Sequence, residues 1–205
     1  MHRIRLCFYA LVLLLPLDLR AQSPVFAPAT LDSLYQSGIP FGTFLDAAER
    51  RLDRWQANAQ KGPLPDDLLQ RIGEVEGTWY LLAVAVDGCS DSVSTIPFLS
   101  HLDAASDHIS MRIISPEAGR FIMEARPTPD GRASTPTVLV LNASFEEVGA
   151  FIERPAVLQD WALGEGAGLS SEEFGRQKFA WYDRDAGRQT VETVLELMQQ
   201  ASHTR

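Results

Sequence analysis

Cysteine is nearly missing from this chain. Only Cys7 and Cys89 occur among 205 residues, so there is no C-x-x-C pair for a local dithiol and no cysteine set with structural-zinc spacing. Positive charge is scarce as well: 18 Lys and Arg stand against 27 Asp and Glu, for a formal net charge of −9. No segment supplies the basic footprint that a phosphate backbone requires, which excludes DNA and RNA as partners. The apolar stretch from Leu6 to Leu17 is short for a bilayer crossing, so no stable transmembrane segment is expected in the mature chain. No glycine-rich strand-to-helix loop reads as a nucleotide fingerprint. In Gly164-Glu165-Gly166-Ala167-Gly168 the acidic residue and the missing phosphate-binding lysine disfavour a triphosphate loop, and the glycines read as a joint between helices. No cofactor is expected.

What is present begins with an export signal. His2, Arg3 and Arg5 precede the apolar stretch, and Leu19-Arg20-Ala21 offers a small-residue cut. Residues 1–21 therefore read as a cleaved signal peptide, with a retained anchor as the alternative, and the mature protein as periplasmic or secreted. Cleavage removes Cys7 together with three arginines and one aspartate. It moves the net charge from −9 to −11 and leaves 184 residues, enough for one compact domain with helical additions.

Hydrophobic spacing divides the rest. Residues 22–75 read as a polar leader and a helical extension: Leu31 and Leu34 mark a short helix, and Phe41, Leu45, Ala48, Leu52 and Trp55 recur at helical spacing as one longer helix. Lys61-Gly62-Pro63 stops it, and Pro65-Asp66-Asp67 starts another through Ile72. A core over 76–163 follows. Trp79 to Val86 reads as a central strand covered on both faces, and Asp87-Gly88 ends it. Ser90, Asp91 or Ser92 can cap a helix through Ile96, Leu99, Leu102 and Ala105, which Pro97 should kink. Ile109 to Ile114 is a second strand, Ala118 to Ala125 a helix, Thr137 to Leu141 a third strand and Phe145 to Phe151 a fourth, with Gly149 permitting a bulge or close approach. The order strand, helix, strand, helix, hairpin predicts an α/β fold with a mixed β-sheet flanked by helices. Residues 164–205 read as a C-terminal helical extension packed on the core, with Val191, Val194, Leu195 and Met198 on the covering face of its last helix.

Cys89 sits where the first strand gives way to a helix start. Unpaired helix N–H groups there can hold a thiolate and make the sulfur chemically usable. As the lone mature cysteine of an exported chain it is buried and inert, free and reactive, or paired with another molecule.

The segment Trp79-Tyr80-Leu81-Leu82-Ala83-Val84-Ala85-Val86-Asp87-Gly88-Cys89-Ser90-Asp91-Ser92, followed by Ile96-Pro97-Phe98-Leu99, resembles the thioredoxin superfamily. It is more similar to a thioredoxin-like group whose active-site strand ends in Trp-Cys-Gly/Pro-Asp-Ser. Downstream, Gly131 to Leu141 resembles the segment of that group that carries a cis-proline before a sheet strand, and Trp181-Tyr182-Asp183-Arg184 its end pattern. The resemblance implies a thioredoxin-like fold, Cys89 as the nucleophile, and a cis Thr135-Pro136 bond beside a backbone edge where an extended partner can bind. On that basis Cys89, Ser92 and Asp91 are the candidate catalytic residues and Gly88, Thr135 and Pro136 the candidate substrate-binding ones.

Two departures from the group's pattern disfavour dithiol exchange. Gly88 replaces the aromatic residue that commonly precedes the nucleophile, which removes a bulky wall and adds local freedom. Ser92 replaces the resolving thiol; its hydroxyl can hydrogen-bond to a thiolate, yet it cannot release a mixed disulfide. Asp91 is read either as a first-turn helix stabiliser or as a proton-handling group. No base near Ser90 or Ser92 supports a hydrolase triad. His101, Asp107 and His108 lack metal-ligand spacing, and no metal is expected. Trp79, Tyr80 and Phe98 read as core, and Arg188 either as a carboxylate-binding group or as an ion-pair partner of Asp183 or Asp185. The expected function is monothiol exchange through a mixed disulfide with a thiol-containing protein or a small thiol; the alternative is a noncatalytic protein-binding or structural module.

Overall fold

Four apolar segments pair into one mixed sheet in the order β2-β1-β3-β4. The computed structural model describes residues 26–202; the expected signal peptide, residues 1–21, lies outside the described residues. The central strand β1 (Trp79–Val84) runs parallel to β2 (Ile109–Ile114) and antiparallel to β3 (Thr137–Leu141), which pairs with β4 (Glu147–Ile152) as a hairpin. The parallel pair needs a crossover, and α5 (Ser92–Ala105) supplies it. The expected mixed sheet flanked by helices, with helical extensions at both ends, is the observed architecture.

Both faces of the sheet are covered at its centre, which is why β1 and β3 are largely apolar without alternation, whereas β2 alternates buried residues with half-buried Ser110 and Arg112. Leu81, Ala83, Val138 and Val140 point into the larger core with α3 (Leu52–Ala59), α4 (Asp66–Glu74), α5 and α9 (Arg188–Ser202). Leu82, Val84, Leu139 and Leu141 point into the smaller one with α1 (Pro28–Ser37) and α6 (Arg120–Ala125). Each of these aliphatic side chains larger than alanine contributes about 2 kcal/mol by leaving water. On β4, Gly149 allows the close approach of α9: a Cβ there would lie 2.6 Å from Leu197 Cδ2.

The helix expected from Phe41 to Trp55 is two helices, α2 (Phe41–Asp46) and α3, separated by a turn in which Arg51 takes φ of 57°. A distant carboxylate explains the break. Asp87 Oδ2 accepts the N–H groups of Glu49 at 3.0 Å and Arg50 at 2.8 Å, and Trp55 Nε1 donates to the Asp87 carbonyl at 3.0 Å. The turn is thereby fastened to the loop that follows β1.

Pro97 lies inside α5 and cannot donate to the carbonyl of Val93 four residues back. The buried side chain of Asn58 on α3 takes that role, its Nδ2 donating to Val93 O at 2.7 Å. The helix therefore continues through the proline with its free acceptor satisfied from a neighbour.

After β4 come α7 (Ala156–Leu163), a 3-10 turn over Glu165–Gly168 that joins helices as expected, and α8 (Ser171–Asp185). The hydroxyl of Ser170 caps α8 by accepting the Glu173 N–H. Between α8 and α9, Gly187 has φ of 79°, and a Cβ there would overlap the Phe98 ring. Only glycine meets both conditions. Arg188 does not pair with Asp183 or Asp185: it binds Asp67 and Glu192, while Asp183 pairs with Arg54 and Asp185 accepts the Gln189 N–H of α9. Among the described residues no helix is long and apolar enough to cross a membrane.

Candidate thiol site

Cys89 lies in the short loop between β1 and α5, is partly exposed and is free of disulfide. Its Sγ accepts the N–H of Ser92 at 3.4 Å. The sulfur thus occupies the place of a capping oxygen at the first turn of α5, three residues ahead of the donor. None of the capping expected from Ser90, Asp91 or Ser92 occurs, because α5 has no side-chain cap at Asp91 and those side chains are engaged elsewhere or buried. The thiol also donates to the carbonyl of Thr135 at 3.1 Å. Deprotonation keeps the first contact, in which sulfur accepts, and gives up the second, in which it donates.

Thr135-Pro136 is cis, as expected, and its carbonyls face two ways. That of Thr135 meets the sulfur, whereas that of Pro136 accepts the N–H of Glu153 at 2.7 Å. Glu153 follows β4 and has φ of 61°. Thr137 Oγ1 returns to the Ser134 carbonyl at 2.8 Å and fixes the turn from inside.

Ser92 is fully buried, and its hydroxyl has no partner. Its backbone N–H, and not the hydroxyl, reaches the sulfur. The hydroxyl of Ser134, on the opposite loop, is likewise buried and unpartnered. Ser90 is engaged through Lys178, whose Nζ donates to Ser90 Oγ at 2.7 Å.

Asp91 is only 5% exposed and sits in a charged cluster that the sequence did not reveal. Lys178 Nζ lies 2.7 Å from its Oδ2, the Tyr182 hydroxyl donates to its Oδ1 at 2.8 Å, and Arg154 Nε lies 3.6 Å away. Arg154 in turn binds Glu153 at 2.6 Å, and Arg132 bridges Glu153 and Asp130. The cluster ties the Cys89 loop to α8 and, through Arg154 and Glu153 after β4, to the cis-proline loop. Burial first, then the charge and hydrogen bond of Asp91, push the Tyr182 hydroxyl well above its usual value. The neighbouring cations offset the negative charge that Asp91 would otherwise present to the sulfur. No local pattern marks Lys178, Tyr182, Arg154 or Glu153 as site residues; they lie far beyond Asp91 in the chain and reach it only through the fold.

Gly88 does not leave an open space where a bulky wall would stand. A Cβ at Gly88 would overlap the Arg50 guanidinium, with Cζ 2.5 Å away, and Arg51 Nε donates to the Gly88 carbonyl at 2.8 Å. The N–H of Arg50, then that of Glu49, hold the Asp87 carboxyl below the usual range against the opposing effect of burial.

The other candidates lie elsewhere. His101 is within hydrogen-bond distance of the Ala59 carbonyl at 3.3 Å, beside an open cavity of about 820 Å³ at the C-terminal end of α5. Asp107 and His108 are exposed ahead of β2. Among the described residues no three or more His, Cys, Asp or Glu side chains converge as a metal site.

Residues 38–173 match a family model described as Thioredoxin. Among solved structures, the chain is similar to a protein of unknown function from Pseudomonas aeruginosa at 24% identity and a TM-score of 0.68, over 83% of this chain and 97% of that one. It is also similar to an HIV epitope scaffold at 21% identity and a TM-score of 0.65, over 82% of this chain and 97% of that one. At such identities the likeness shows the fold alone. No curated protein matches.

Proposed function

The chain belongs to the thioredoxin family, and we propose that it is an exported monothiol protein that exchanges disulfides with an external thiol partner through Cys89. One observation carries this reading: the partly exposed sulfur accepts a helix N–H and lies 3.1 Å from the carbonyl of Thr135, the residue before the cis-proline. The thiolate of Cys89 attacks one sulfur of a partner disulfide. A new S–S bond forms to Cys89, the old S–S bond breaks, and the departing thiolate takes its electron pair and then a proton from solvent.

The same step frees the Thr135 carbonyl. With the thiol proton gone, that oxygen can accept an N–H from an extended partner segment, which aligns the partner's sulfur with Cys89 by strand addition. Cys89 is the only cysteine among the described residues, so release needs a second external thiolate. It attacks the mixed disulfide, restores the Cys89 thiolate and leaves with the partner as a disulfide. Export rests on the charged and apolar pattern of residues 1–21.

Incubation of the reduced protein with bis(2-hydroxyethyl) disulfide tests the reading. Mass spectrometry should find a mixed disulfide on the Cys89 peptide that added thiol removes and Cys89→Ala abolishes. A native protein that accumulates no adduct, yet binds a peptide beside Pro136, would be a noncatalytic module.

A further inference from the structure

The ion pairs around the site leave one group of cations unspent. Arg54, Arg132, Arg154 and Lys178, on the elements that flank Cys89, each have a carboxylate within ion-pair distance. Among the described residues of those elements, Arg50, Arg51 and Arg184 have none at that distance; only Arg50 and Arg51 lie against Gly88, and the charge of Arg50 also helps to lower the Asp87 carboxyl. Both are exposed on the turn between α2 and α3, in a chain whose formal net charge is −9. Glu49 shares that turn and makes no ion pair with either.

The Arg51 guanidinium is also held in place, and that of Arg50 lies over Gly88. The Arg50 N–H is tied to Asp87 Oδ2, and its guanidinium lies in the space that a side chain at residue 88 would fill. Arg51 is pinned through Nε to the Gly88 carbonyl. Two positive groups therefore rest on the residue immediately before the thiol, and the absence of a side chain at Gly88 lets Arg50 lie there. The Arg51 guanidinium, already positioned by a backbone carbonyl, loses little freedom when it takes an anion, and its remaining N–H groups match a carboxylate.

Resting on the exchange reading, we propose that Arg50 and Arg51 are specificity-determining residues that select partner thiols and disulfides carrying a carboxylate close to sulfur. Attraction of an anionic partner raises the encounter rate and holds the carboxylate beside Gly88 while the Cys89 thiolate attacks the nearer sulfur. The bonds exchanged are those of the simple step: one S–S bond forms at Cys89, one breaks, and the leaving carboxylate-bearing thiolate takes the electron pair and a solvent proton.

Three aliphatic disulfides separate charge from reactivity: 3,3′-dithiodipropionate is anionic, bis(2-hydroxyethyl) disulfide neutral and cystamine cationic. Rates of adduct formation on the Cys89 peptide of the full chain are compared with those of Arg50→Gln/Arg51→Gln, each as a ratio to the neutral probe, so that leaving-group differences and general changes in the thiol cancel. The double variant should lower the anionic-to-neutral ratio about 5-fold and raise the cationic one, the size expected of exposed charges a few ångström apart. Salt at about 0.5 M should bring the wild-type ratio toward that of the variant, because the Debye length is then only a few ångström. Arg50→Glu should push the ratio further down. If all the ratios match between the proteins while the neutral probe still reacts, the carboxylate preference is overturned and the exchange reading stands. If no probe forms an adduct on folded protein, both fall.

Discussion

The ammonium of Lys178 on α8 lies 2.7 Å from Asp91 Oδ2 at the first turn of α5, with both side chains 7% exposed. A buried pair of this kind is costly to break from one side, since the remaining charge stays desolvated. Lys178→Met should therefore destabilise the protein by about 3 kcal/mol in denaturant unfolding. Asp91→Asn/Lys178→Met should recover part of that loss. Equal losses in the single and double variants would mean that the two groups do not act as a pair.

Tyr182 makes alkaline stability depend on the same carboxylate. Its hydroxyl is raised well above the usual 10.0 by burial first and by Asp91 next. As pH rises past that usual value, the unfolded chain gives up the Tyr182 proton while the folded protein keeps it. The folded state then binds more protons, so this contribution to stability is whole below the unfolded value and declines by about 1.4 kcal/mol per pH unit above it. Chemical unfolding between about pH 9 and 11, compared with Tyr182→Phe, isolates the effect. The steeper decline should belong to wild type, and parallel curves would refute the assignment.

Asn58 compensates for the proline in α5. Asn58→Ala leaves the Val93 carbonyl without a donor and should cost about 1–3 kcal/mol. In a Pro97→Ala background residue 97 regains an N–H four positions from Val93, and the Asn58→Ala penalty should shrink by at least half. An unchanged penalty in that double-mutant cycle would show that Asn58 acts through packing alone.

Much of the sheet is legible in the sequence because its strands are short, apolar and separated by turn residues. Ile109 to Ile114 and Thr137 to Leu141 have the bounds that their composition suggests, and the cis bond at Thr135-Pro136 follows from the family resemblance. Local spacing fails where a distant group decides the outcome. The pattern from Phe41 to Trp55 is periodic enough for one helix, but Asp87, about 40 residues on, draws off the N–H groups of Glu49 and Arg50 and splits it. Asp91 looks like a first-turn carboxylate because its partners lie on α8 and beyond β4. Gly88 looks like missing bulk, since only the fold brings Arg50 onto it. What sequence spacing conveys is which faces are apolar; which charges meet across the molecule is settled by packing.

Ser92 occupies the position from which a second thiol would resolve a mixed disulfide, and its N–H already faces the Cys89 sulfur at 3.4 Å. Ser92→Cys is a near-isosteric change at a buried residue. Mild oxidation of that variant should join Cys89 to the introduced thiol in an internal disulfide, detected as loss of two alkylatable thiols, and external adducts should become short-lived. Stable external adducts on oxidised Ser92→Cys would show that the two sulfurs cannot meet.

The most direct measurement is the alkylation rate of Cys89 by iodoacetamide in the native protein, read on its peptide and set beside the rate of global unfolding under the same conditions. Modification far faster than unfolding, and unaffected by further stabilisation of the fold, is the expected result. Modification that proceeds only as fast as the protein unfolds would contradict the account, because the sulfur would then be out of reach of any partner.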